Sequence, residues 1–361
     1  MGLKSLTIQG FRNLQSASIE ADPGLNLITG DNAAGKTSLL ESIFYLSYGR
    51  SFRTHQVKHL INRDADFFRL VSVLDDQSLL GLERTLNDQT IRHNQQNISR
   101  VSQLSSLLPV LALHPDSHQL ISAGPEYRRQ FIDWGVFHVE HKFMSIWKTY
   151  RTALSQRNAA LRKQLNNKMC ILWDAQLVQS AELIESMRLE YLSLLQPKVS
   201  ELADVLFPGF SIDIKYQRGW SRDLDYAAYL SSHLHQDRER GFTQSGPHRA
   251  DLKILLNDQP AQTSISRGQQ KLLVCLLKIA QLNLFTERAG ERCVLLFDDL
   301  PAELDSENQN KIMSILSSLD VQVFITAIES SQIQVDFWSS HKVFHVEHGL
   351  LEQLPEDNQS V

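Results

Sequence analysis

Apolar residues along the chain form short runs typical of strands and longer stretches with helical spacing. The strand-like runs are Leu25–Ile28, Leu70–Leu74, Leu79–Glu83, Phe210–Ile214, Asp251–Leu256, Cys293–Phe297 and Val321–Thr326, with further apolar positions at Leu3, Leu6, Ile8 and Ile19. The polar segment Asp75–Ser78 between two runs predicts a hairpin turn. Because strands and helical stretches alternate, the sequence predicts an α/β fold, with a mostly parallel, covered sheet, flanking helices and an antiparallel part.

A stretch without glycine or proline, from about His141 to Gln196, predicts two antiparallel helices joined by a turn at Asn166–Lys168. Each predicted helix carries an apolar stripe. The stripes are Phe143, Trp147, Tyr150, Leu154, Leu161 and Leu165, then Trp173, Leu177, Ala181, Ile184, Tyr191 and Leu195. We interpret the aromatic members as packing residues of a helical arm. Another long helix is predicted over Gln269–Phe285.

With 361 residues, the chain is long enough for two domains or for one large domain with an insertion. The change in pattern along the chain predicts a domain split between residues 1–110 and 241–354. An inserted, mainly helical lobe is predicted over residues 111–240, and a polar tail over residues 355–361.

The net charge of -5 means that any nucleic-acid site must be a local basic patch on an acidic protein. Cys170, Cys275 and Cys293 are scattered in apolar surroundings, which indicates buried thiols in a reducing compartment and no zinc spacing. The first residues lack the apolar core of a signal peptide, and no apolar run approaches the ~20 residues of a membrane span. These features predict a cytoplasmic protein without a membrane partner.

The run from Gly30 to Thr37 fits G-x-x-x-x-G-K-[ST], a phosphate-binding P-loop, between a strand-like run and a helical stretch. The predicted nucleotide-binding residues are Gly30, Asp31, Asn32, Ala33, Ala34, Gly35, Lys36 and Thr37. Lys36 is expected to reach the β- and γ-phosphates of ATP, and the Thr37 hydroxyl to bind Mg²⁺. The alternative is a chance glycine-rich turn before a helix.

The segment Val294–Asp299 has the form of a Walker B strand, in which apolar residues precede two acids at the edge of the sheet. Asp298 is the expected Mg²⁺ ligand, and Asp299 is placed to orient or deprotonate the attacking water. The alternative is a pair of strand-end acids at a solvated turn.

Two further segments flank this strand along the chain. Ser266, Arg267, Gly268 and Gln269 precede the long predicted helix, and Glu303, Leu304 and Asp305 follow the Walker B strand. A hydroxyl and a glycine at a helix N-terminus favour binding of a γ-phosphate. The alternative for Ser266–Gly268 is an ordinary N-cap.

This order of motifs resembles the heads of ABC-type ATPases, in which a signature precedes Walker B and a D-loop follows it. The resemblance implies a homodimer that sandwiches ATP, with the signature Ser266, Arg267, Gly268 and Gln269 contacting ATP in trans and Glu303, Leu304 and Asp305 forming the D-loop. It also implies that Lys36, Asp298 and Asp299 are the catalytic residues. The wide separation of Lys36 and Asp298 fits a head split by an inserted lobe.

The chain departs from the ABC pattern at several positions. Arg267 stands where transporters have glycine, and Asp299 replaces the glutamate common in these heads. Because a shorter acid lies further from the water, we expect weak ATP hydrolysis that acts as a DNA-stimulated switch. Thr326-Ala327-Ile328 occupies the region of the usual switch histidine, a role that the sequence does not give to His114 or His248. Gln119 is a candidate for the Q-loop glutamine.

More closely, the chain resembles the RecF family of bacterial recombination mediators. The residues that carry this resemblance are Gly10–Leu14, Gly49–Arg53, Pro115–Asp116, Gly124–Asp133 and Ser245–Leu252, in order between Gly10 and about Thr326. The resemblance implies an ATP-dependent DNA binder in the cytoplasm. It would act at gaps and stalled forks with RecO and RecR, promoting recombinase loading and SOS induction. Arg12 and Asn13 would lie beside the nucleotide.

The basic residues between Lys142 and Lys168 are not interrupted by Asp or Glu. On a helix, Lys148, Arg151, Arg162 and Lys163 lie on one flank of the apolar stripe, which makes them candidates for contacts to DNA phosphates. The alternative is a solvated basic face that binds nothing. No aromatic residue stands clear of the stripe, so the hypothesis is recognition of duplex or junction structure and not of base sequence.

Other P-loop proteins are the alternatives to this function. An ABC transporter ATPase subunit would have a shorter helical subdomain and a membrane partner, and a small-molecule P-loop kinase would lack a trans signature. A tether of the SMC type would need coiled-coil arms far longer than the helical stretch found here.

Overall fold

The computed structural model describes residues 1–98 and 100–355. The strands are β1 (Leu3–Phe11), β2 (Leu14–Glu20), β3 (Leu25–Thr29), β4 (Phe67–Leu74), β5 (Leu79–Thr85), β6 (Gln89–His93), β7 (Gln96–Asn97), β8 (Val110–Leu113), β9 (Ile212–Gln217), β10 (Asp251–Leu256), β11 (Gln259–Pro260), β12 (Cys293–Phe297), β13 (Val321–Thr326), β14 (His341–Glu347) and β15 (Leu350–Gln353).

The helices are α1 (Lys36–Tyr48), α2 (Ser102–Leu107), α3 (Gln119–Ser122), α4 (Pro125–Val139), α5 (Phe143–Arg162), α6 (Asn167–Ile171), α7 (Asp174–Leu206), α8 (Tyr226–Ser232), α9 (Leu234–Arg240), α10 (Ala261–Ser264), α11 (Arg267–Ala289), α12 (Leu300–Glu303) and α13 (Ser306–Ser317). Within the described ranges, none of these helices combines the length and the apolar character that crossing a bilayer requires.

The chain divides into two compact units. The first is formed by residues 1–117 together with the described residues from 271 onward, and the second by residues 118–270. The polar tail predicted over residues 355–361 lies outside the described residues except for Pro355.

The first unit contains the mostly parallel sheet that the sequence predicts. Its strand order is β15-β14-β3-β13-β12-β8; β14, β3, β13, β12 and β8 run parallel, and β15 pairs antiparallel with β14. All residues of β3, β12 and β13 are buried. Because these central strands are covered on both faces, their sequences are mostly apolar, with single polar residues such as Asn26 and Gln322.

A second, antiparallel sheet in the same unit has the order β2-β1-β4-β5-β6-β7 and includes the predicted hairpin, β4–β5. One hydrophobic core contains residues of both sheets and of α1, among them Ile8, Leu39, Leu70 and Leu296. The P-loop helix is therefore held by apolar packing, and the polar loop before it lies at the carboxyl end of β3.

The second unit is built around the predicted helical arm. Arg157, late in α5, bonds Asp174 at the start of α7, and Trp147, early in α5, lies under the guanidinium of Arg188 further along α7. The two helices are therefore antiparallel, as predicted. Their connection contains the short helix α6. Leu165, expected in the first stripe, is 36% exposed just beyond the end of α5.

Two boundaries differ from the sequence-based expectation. β10 pairs antiparallel with β9, so residues 241–270 lie in the second unit, although we expected the split domain to resume at residue 241. β8 pairs parallel with β12, so the parallel sheet continues past residue 110, where we placed the end of the first segment. In both cases a pairing between distant strands decides the boundary.

Helix α7 extends ten residues beyond the expected end at Gln196, through Pro197 to Leu206. Proline removes one backbone hydrogen bond, which usually ends or kinks a helix. Here the helix continues because Leu195, Val199 and Leu202 remain buried on one face, so apolar packing outweighs the lost bond.

Candidate nucleotide-binding site

The P-loop turns sharply between β3 and α1. Gly30 and Gly35 have φ angles of 137° and 130°, in the region that favours glycine. A Cβ at position 30 would lie 2.2 Å from the carbonyl oxygen of Val346 on the neighbouring strand. Only glycine fits at this position, as the phosphate-binding pattern requires.

Lys36 is the first residue of α1, and its side chain lies back across the loop. Its ammonium group donates to the carbonyl oxygens of Gly30 and Asp31, the latter at 2.9 Å. Burial lowers the pKa of Lys36, and the nearby Asp299 and Asp298 oppose that shift. The cation is thus placed beside the two acidic residues that the sequence assigns to catalysis.

The two residues predicted to hold Mg²⁺ are in direct contact. The Thr37 hydroxyl donates to the Asp298 carboxylate, with oxygen–oxygen distances of 2.9 and 3.1 Å. Asp298 is only 6% exposed, and this burial raises the pKa of its carboxyl group. The P-loop and the Walker B strand, which are distant in sequence, therefore form one site.

Thr326 completes this arrangement, a role that no local pattern in the sequence indicates. Its hydroxyl donates to Asp298 at 2.9 Å and accepts from the backbone N–H of Asp299 at 2.7 Å. Asp299 has a left-handed backbone conformation, with φ 59° and ψ 50°. Because β12 and β13 are parallel neighbours, Thr326 at the end of β13 lies beside Asp298. Pairing these two strands from the sequence would have pointed to Thr326.

Asn13 holds the P-loop from the other side. Its amide donates to the carbonyl oxygen of Ala34 at 3.0 Å, and its amide oxygen accepts from the Ser38 hydroxyl at 2.7 Å. Arg12 adopts a positive φ of 53° and donates to Glu41 at 2.8 Å. The structure therefore places both residues against the P-loop or the first helix, with Arg12 already paired to a carboxylate.

The Glu41 carboxylate is fully buried and has two partners. It accepts from Arg12 and from the Ser51 hydroxyl, and Ser51 in turn accepts from the backbone N–H of Arg53 at 2.8 Å. This network links the first helix to the segment that follows it. Sequence reasoning missed Glu41 and Ser51, because nothing local to α1 identifies their partners.

These residues surround a cavity of about 650 Å³ in the first unit. The lining residues are Arg12, Asn13, Asp31, Asn32, Ala33, Gly35, Lys36, Thr37, Ser38, Phe52, Arg53, His114, Pro115, Asp116, Asp298, Asp299 and Thr326. The volume is typical of a pocket for a small molecule. Phe52 and His114 stack with ring centroids 4.9 Å apart, so the cavity has an aromatic wall beside its cationic and acidic groups.

The proposed D-loop follows β12 through α12. Glu303 pairs with Lys271 at 3.2 Å, and Leu304 is 8% exposed. Asp305 is the N-cap of α13; its carboxylate accepts from the backbone N–H of Asn308 at 2.9 Å, which lowers the pKa of Asp305. This segment is thus fixed by its own capping and by one ion pair.

The signature residues Ser266, Arg267, Gly268 and Gln269 lie at the start of α11 in the second unit, and all are exposed. The Ser266 hydroxyl accepts from the Gln269 backbone N–H at 3.3 Å, and the Gln269 side chain accepts from the Ser266 backbone N–H at 3.0 Å. This reciprocal pair is a capping box, so Ser266 is the N-cap of α11. Ser266 is also exposed, and its contact with ATP held by a second copy remains a prediction. Gln119, the Q-loop candidate, begins α3 in the same unit.

The four DNA candidates, Lys148, Arg151, Arg162 and Lys163, are all exposed along α5 or at its end. Arg157 of the same basic run is fully buried and pairs with Asp174 and Asp237, both at 2.7 Å. The run therefore divides into exposed cations and one structural arginine.

Comparison with known proteins identifies similar chains over nearly the full length. The family model described as "RecF/RecN/SMC N terminal domain" matches residues 2–352. A "DNA replication and repair protein RecF" from Shewanella piezotolerans is 39% identical over 355 residues, covering 97% of this chain and 98% of the relative. A protein with the same description from Vibrio vulnificus is 36% identical over 358 residues, covering 98% of this chain and 100% of the relative.

Solved structures give the same result at the level of the fold. A structure described as "the recombination mediator protein RecF-ATP in RecFOR pathway" is similar with a TM-score of 0.87 and 27% identity, covering 98% of this chain and 99% of that chain. The Smc head domain from Pyrococcus furiosus, solved with the C-terminal domain of ScpA, gives a TM-score of 0.60 at 14% identity, covering 99% of this chain and 97% of that chain. The second likeness shows the ATPase-head fold alone.

Proposed function

The chain belongs to the RecF family of DNA replication and repair proteins, and from that membership we propose that it is an ATP-dependent DNA-binding protein of recombinational repair and replication restart. ATP binding drives two copies together on DNA at gaps or junctions, and slow hydrolysis releases them. The protein acts with RecR and RecO in the cytoplasm and supports recombinase loading and SOS induction.

The structural observation that carries the ATP-dependent part of this proposal is the contact between Thr37 and Asp298 at 2.9 Å. It joins the phosphate-binding loop to the acidic end of β12 in one cavity, which Lys36 and Asp299 also line. A chance glycine-rich turn and an unrelated pair of strand-end acids have no reason to meet in this way. The name of the similar RecF-ATP structure adds support for ATP as the nucleotide.

The residues of the cavity fit ATP and Mg²⁺. Turned loop amides and the Lys36 ammonium suit the phosphates, and the hydroxyl of Thr37 and the carboxylate of Asp298 are hard oxygen ligands of the kind that Mg²⁺ prefers. Bound there, Mg²⁺ would neutralise charge on the β- and γ-phosphates.

Asp299 is the residue we propose to orient the attacking water. Its backbone N–H is fixed by the Thr326 hydroxyl at 2.7 Å, and its side chain lines the cavity. Burial lowers the pKa of Lys36, and the charges of Asp299 and Asp298 oppose that shift. The ammonium group would stabilise phosphate oxygens electrostatically. A short carboxylate in the base position gives slow turnover, which suits a switch better than a motor.

DNA binding with and without ATP tests the function directly. Wild type and Lys36→Arg are titrated against a fluorescein-labelled gapped duplex, with anisotropy as the readout. We expect tight binding by wild type only with ATP, and weak binding by Lys36→Arg under both conditions. Equal affinity of wild type with and without ATP would contradict the proposal.

The same samples distinguish the two alternative functions. A transporter ATPase subunit would hydrolyse ATP at a rate that DNA does not change and would sediment with added membranes. A small-molecule kinase would consume ATP in response to an acceptor substrate and would also ignore DNA. We expect the ATPase rate of wild type to rise when the gapped duplex is added.

A further inference from the structure

The four exposed cations of α5 form two separate groups. Lys148 and Arg151 lie in its first half, whereas Arg162 and Lys163 lie at its C-terminal end, about 16 Å from Arg151 at the helical rise. Beyond that end, the exposed residues are mixed: the apolar Leu165, Met169, Ile171 and Leu172 lie among polar residues that include Lys168. Arg238 of α9 lies at this C-terminal end, where it donates to the Leu165 carbonyl oxygen and to Asn167, so the two halves of α5 have different arginine neighbours.

Two contacts bring three arginines from different segments to the first half of α5. The Tyr150 hydroxyl and Nδ1 of His248 are 2.6 Å apart, which places Arg151 beside the Pro247–Arg249 turn. Arg129 of α4 donates to the carbonyl oxygen of Ala250 at 2.9 Å, immediately after that turn. We call Arg129, Arg151 and Arg249 the arginine cluster.

Two acidic residues near this cluster, Asp251 and Asp133, are already paired with other arginines, and a third, Glu126, is an exposed residue of α4 near Arg129. Asp251 accepts two hydrogen bonds from Arg128, at 2.7 and 3.1 Å, and Asp133 accepts two from Arg188, at 2.8 and 2.9 Å. In the part of the chain that the structure describes, neither Arg151 nor Arg249 forms an ion pair, and both are exposed. The cluster therefore keeps its positive charge available to an external anion.

The imidazole of His248 shows that the three cations share one neighbourhood. Burial is the main cause that lowers the pKa of His248 to about 4, and the charges of Arg249, Arg129 and Arg151 lower it further. A neutral histidine at physiological pH is consistent with its hydrogen bond to Tyr150 and adds no charge of its own.

The backbone beneath the cluster is fixed. Gly246 has a φ of 126°, and a Cβ there would lie 2.3 Å from the Tyr150 hydroxyl and 2.5 Å from that of Tyr226. Tyr226 donates to the carbonyl oxygen of Ser245 at 2.8 Å, and the guanidinium of Arg249 lies 5.4 Å from the ring centroid of Phe242. Because the turn is held from both sides, its backbone loses little conformational entropy when the arginines bind an anion.

We propose that Arg129, Arg151 and Arg249 form a binding site for the phosphate backbone of DNA on the second unit, and that Arg162 and Lys163 do not belong to it. This proposal deepens the proposed DNA-binding function and depends on it. Guanidinium groups match phosphate geometry with paired hydrogen bonds. Contacts of this kind fix the position of a duplex without reading its sequence, as expected for a protein that recognises DNA structure.

Matched double variants test the site. Arg151→Ala/Arg249→Ala removes two charges from the cluster, and Arg162→Ala/Lys163→Ala removes two from the other end of α5. Affinity for the labelled gapped duplex is measured with ATP at several salt concentrations. We expect the cluster variant to lose about tenfold in affinity per arginine and its log–log salt slope to fall by about 0.9 per lost contact. The control variant should keep the wild-type slope.

Three other outcomes would each reject either the arginine cluster or the DNA-binding function, or both. Equal weakening in both double variants would show a general effect of net charge and would reject the cluster as a site. Wild-type affinity in the cluster variant would reject it while leaving the DNA-binding function intact. Failure of wild type itself to bind DNA with ATP would reject both. Because a folding defect would confound the result, circular dichroism and ATP affinity are compared first, and the single variant Arg151→Ala repeats the test.

Discussion

At the scale of single residues, one hydroxyl orders the acidic pair at the end of β12. Thr326 donates to Asp298 and accepts from the backbone N–H of Asp299, the residue in a left-handed conformation. A non-glycine residue in this conformation is strained and persists only where its surroundings hold it. Thr326 is therefore a positioning residue for the proposed base.

Replacing Thr326 with valine removes that hydroxyl, which leaves the backbone N–H of Asp299 without its partner and the Asp298 carboxylate with Thr37 as its remaining hydroxyl donor. We expect the ATPase kcat to fall at least about tenfold while the KM for ATP changes little, because valine fills the same volume. Thr326→Ser keeps the hydroxyl and should retain most of the activity. Single-turnover hydrolysis provides the measurement, and equal rates in the two variants would contradict this role.

The pH dependence of stability follows from a buried histidine. Burial lowers the pKa of His248 to about 4, below its ordinary value of 6.5 in the unfolded chain. The unfolded chain binds more protons between these values, so the stabilising effect of the neutral imidazole is complete above about pH 6.5 and is lost as the pH falls toward 4.

His248→Gln should make stability less dependent on pH. The free energy of unfolding of wild type, relative to the variant, should fall by about 2 kcal/mol between pH 8 and pH 5. Urea unfolding at the two pH values measures this difference. His138, whose pKa burial also lowers to about 4, titrates in both proteins and so cancels. A constant difference between the proteins would show that His248 titrates normally.

What could be predicted at this scale depended on whether a residue's partners are close in sequence. The P-loop glycines and Lys36 act within one turn of chain, so their pattern alone identifies them. Glu41 depends on Arg12 and Ser51, which lie in other segments. Arg128 and Arg129 had no assigned role; the structure pairs Arg128 with Asp251 and directs Arg129 to a backbone carbonyl.

At the scale of elements, the sequence predicts fully covered strands best. β12 and β13 have the predicted bounds, because burial of every residue gives a mostly apolar run. β10 also has its predicted bounds, although Lys253 is exposed. β14 was missed because polar residues such as His341, Lys342 and His345 interrupt its buried positions. β8 was missed because four residues after a proline give too short a pattern.

The close packing of α4 on α7 leads to a prediction about stability. A Cβ at Gly135 would lie 2.0 Å from the ring of Tyr191, so the two helices are close enough to require glycine. Gly135→Ala should destabilise the protein by about 1–3 kcal/mol, although alanine is the better helix former. Gly81→Ala is the control, since its Cβ would meet nothing within 4 Å and should change stability by about 0.5 kcal/mol or less. Urea unfolding compares both with wild type, and equal stabilities would contradict the close packing.

At the scale of the whole molecule, two distant segments of chain form the nucleotide site, and the residues between them form a separate unit. The wide separation of Lys36 and Asp298 and the change in pattern along the chain led us to expect such a division. Its boundaries could not be read from local patterns, because pairing of β10 with β9 and of β8 with β12 decides them. The exposed signature residues of one copy are proposed to contact ATP held by the other.

Sedimentation velocity with and without ATP tests this central claim most directly. The samples are wild type, Ser266→Arg, and Ser193→Arg as a control that adds the same charge at an exposed position of α7. We expect wild type and Ser193→Arg to double in mass only with ATP, and Ser266→Arg to bind ATP and remain a monomer. An ATP-dependent dimer of Ser266→Arg as stable as that of wild type would contradict the account.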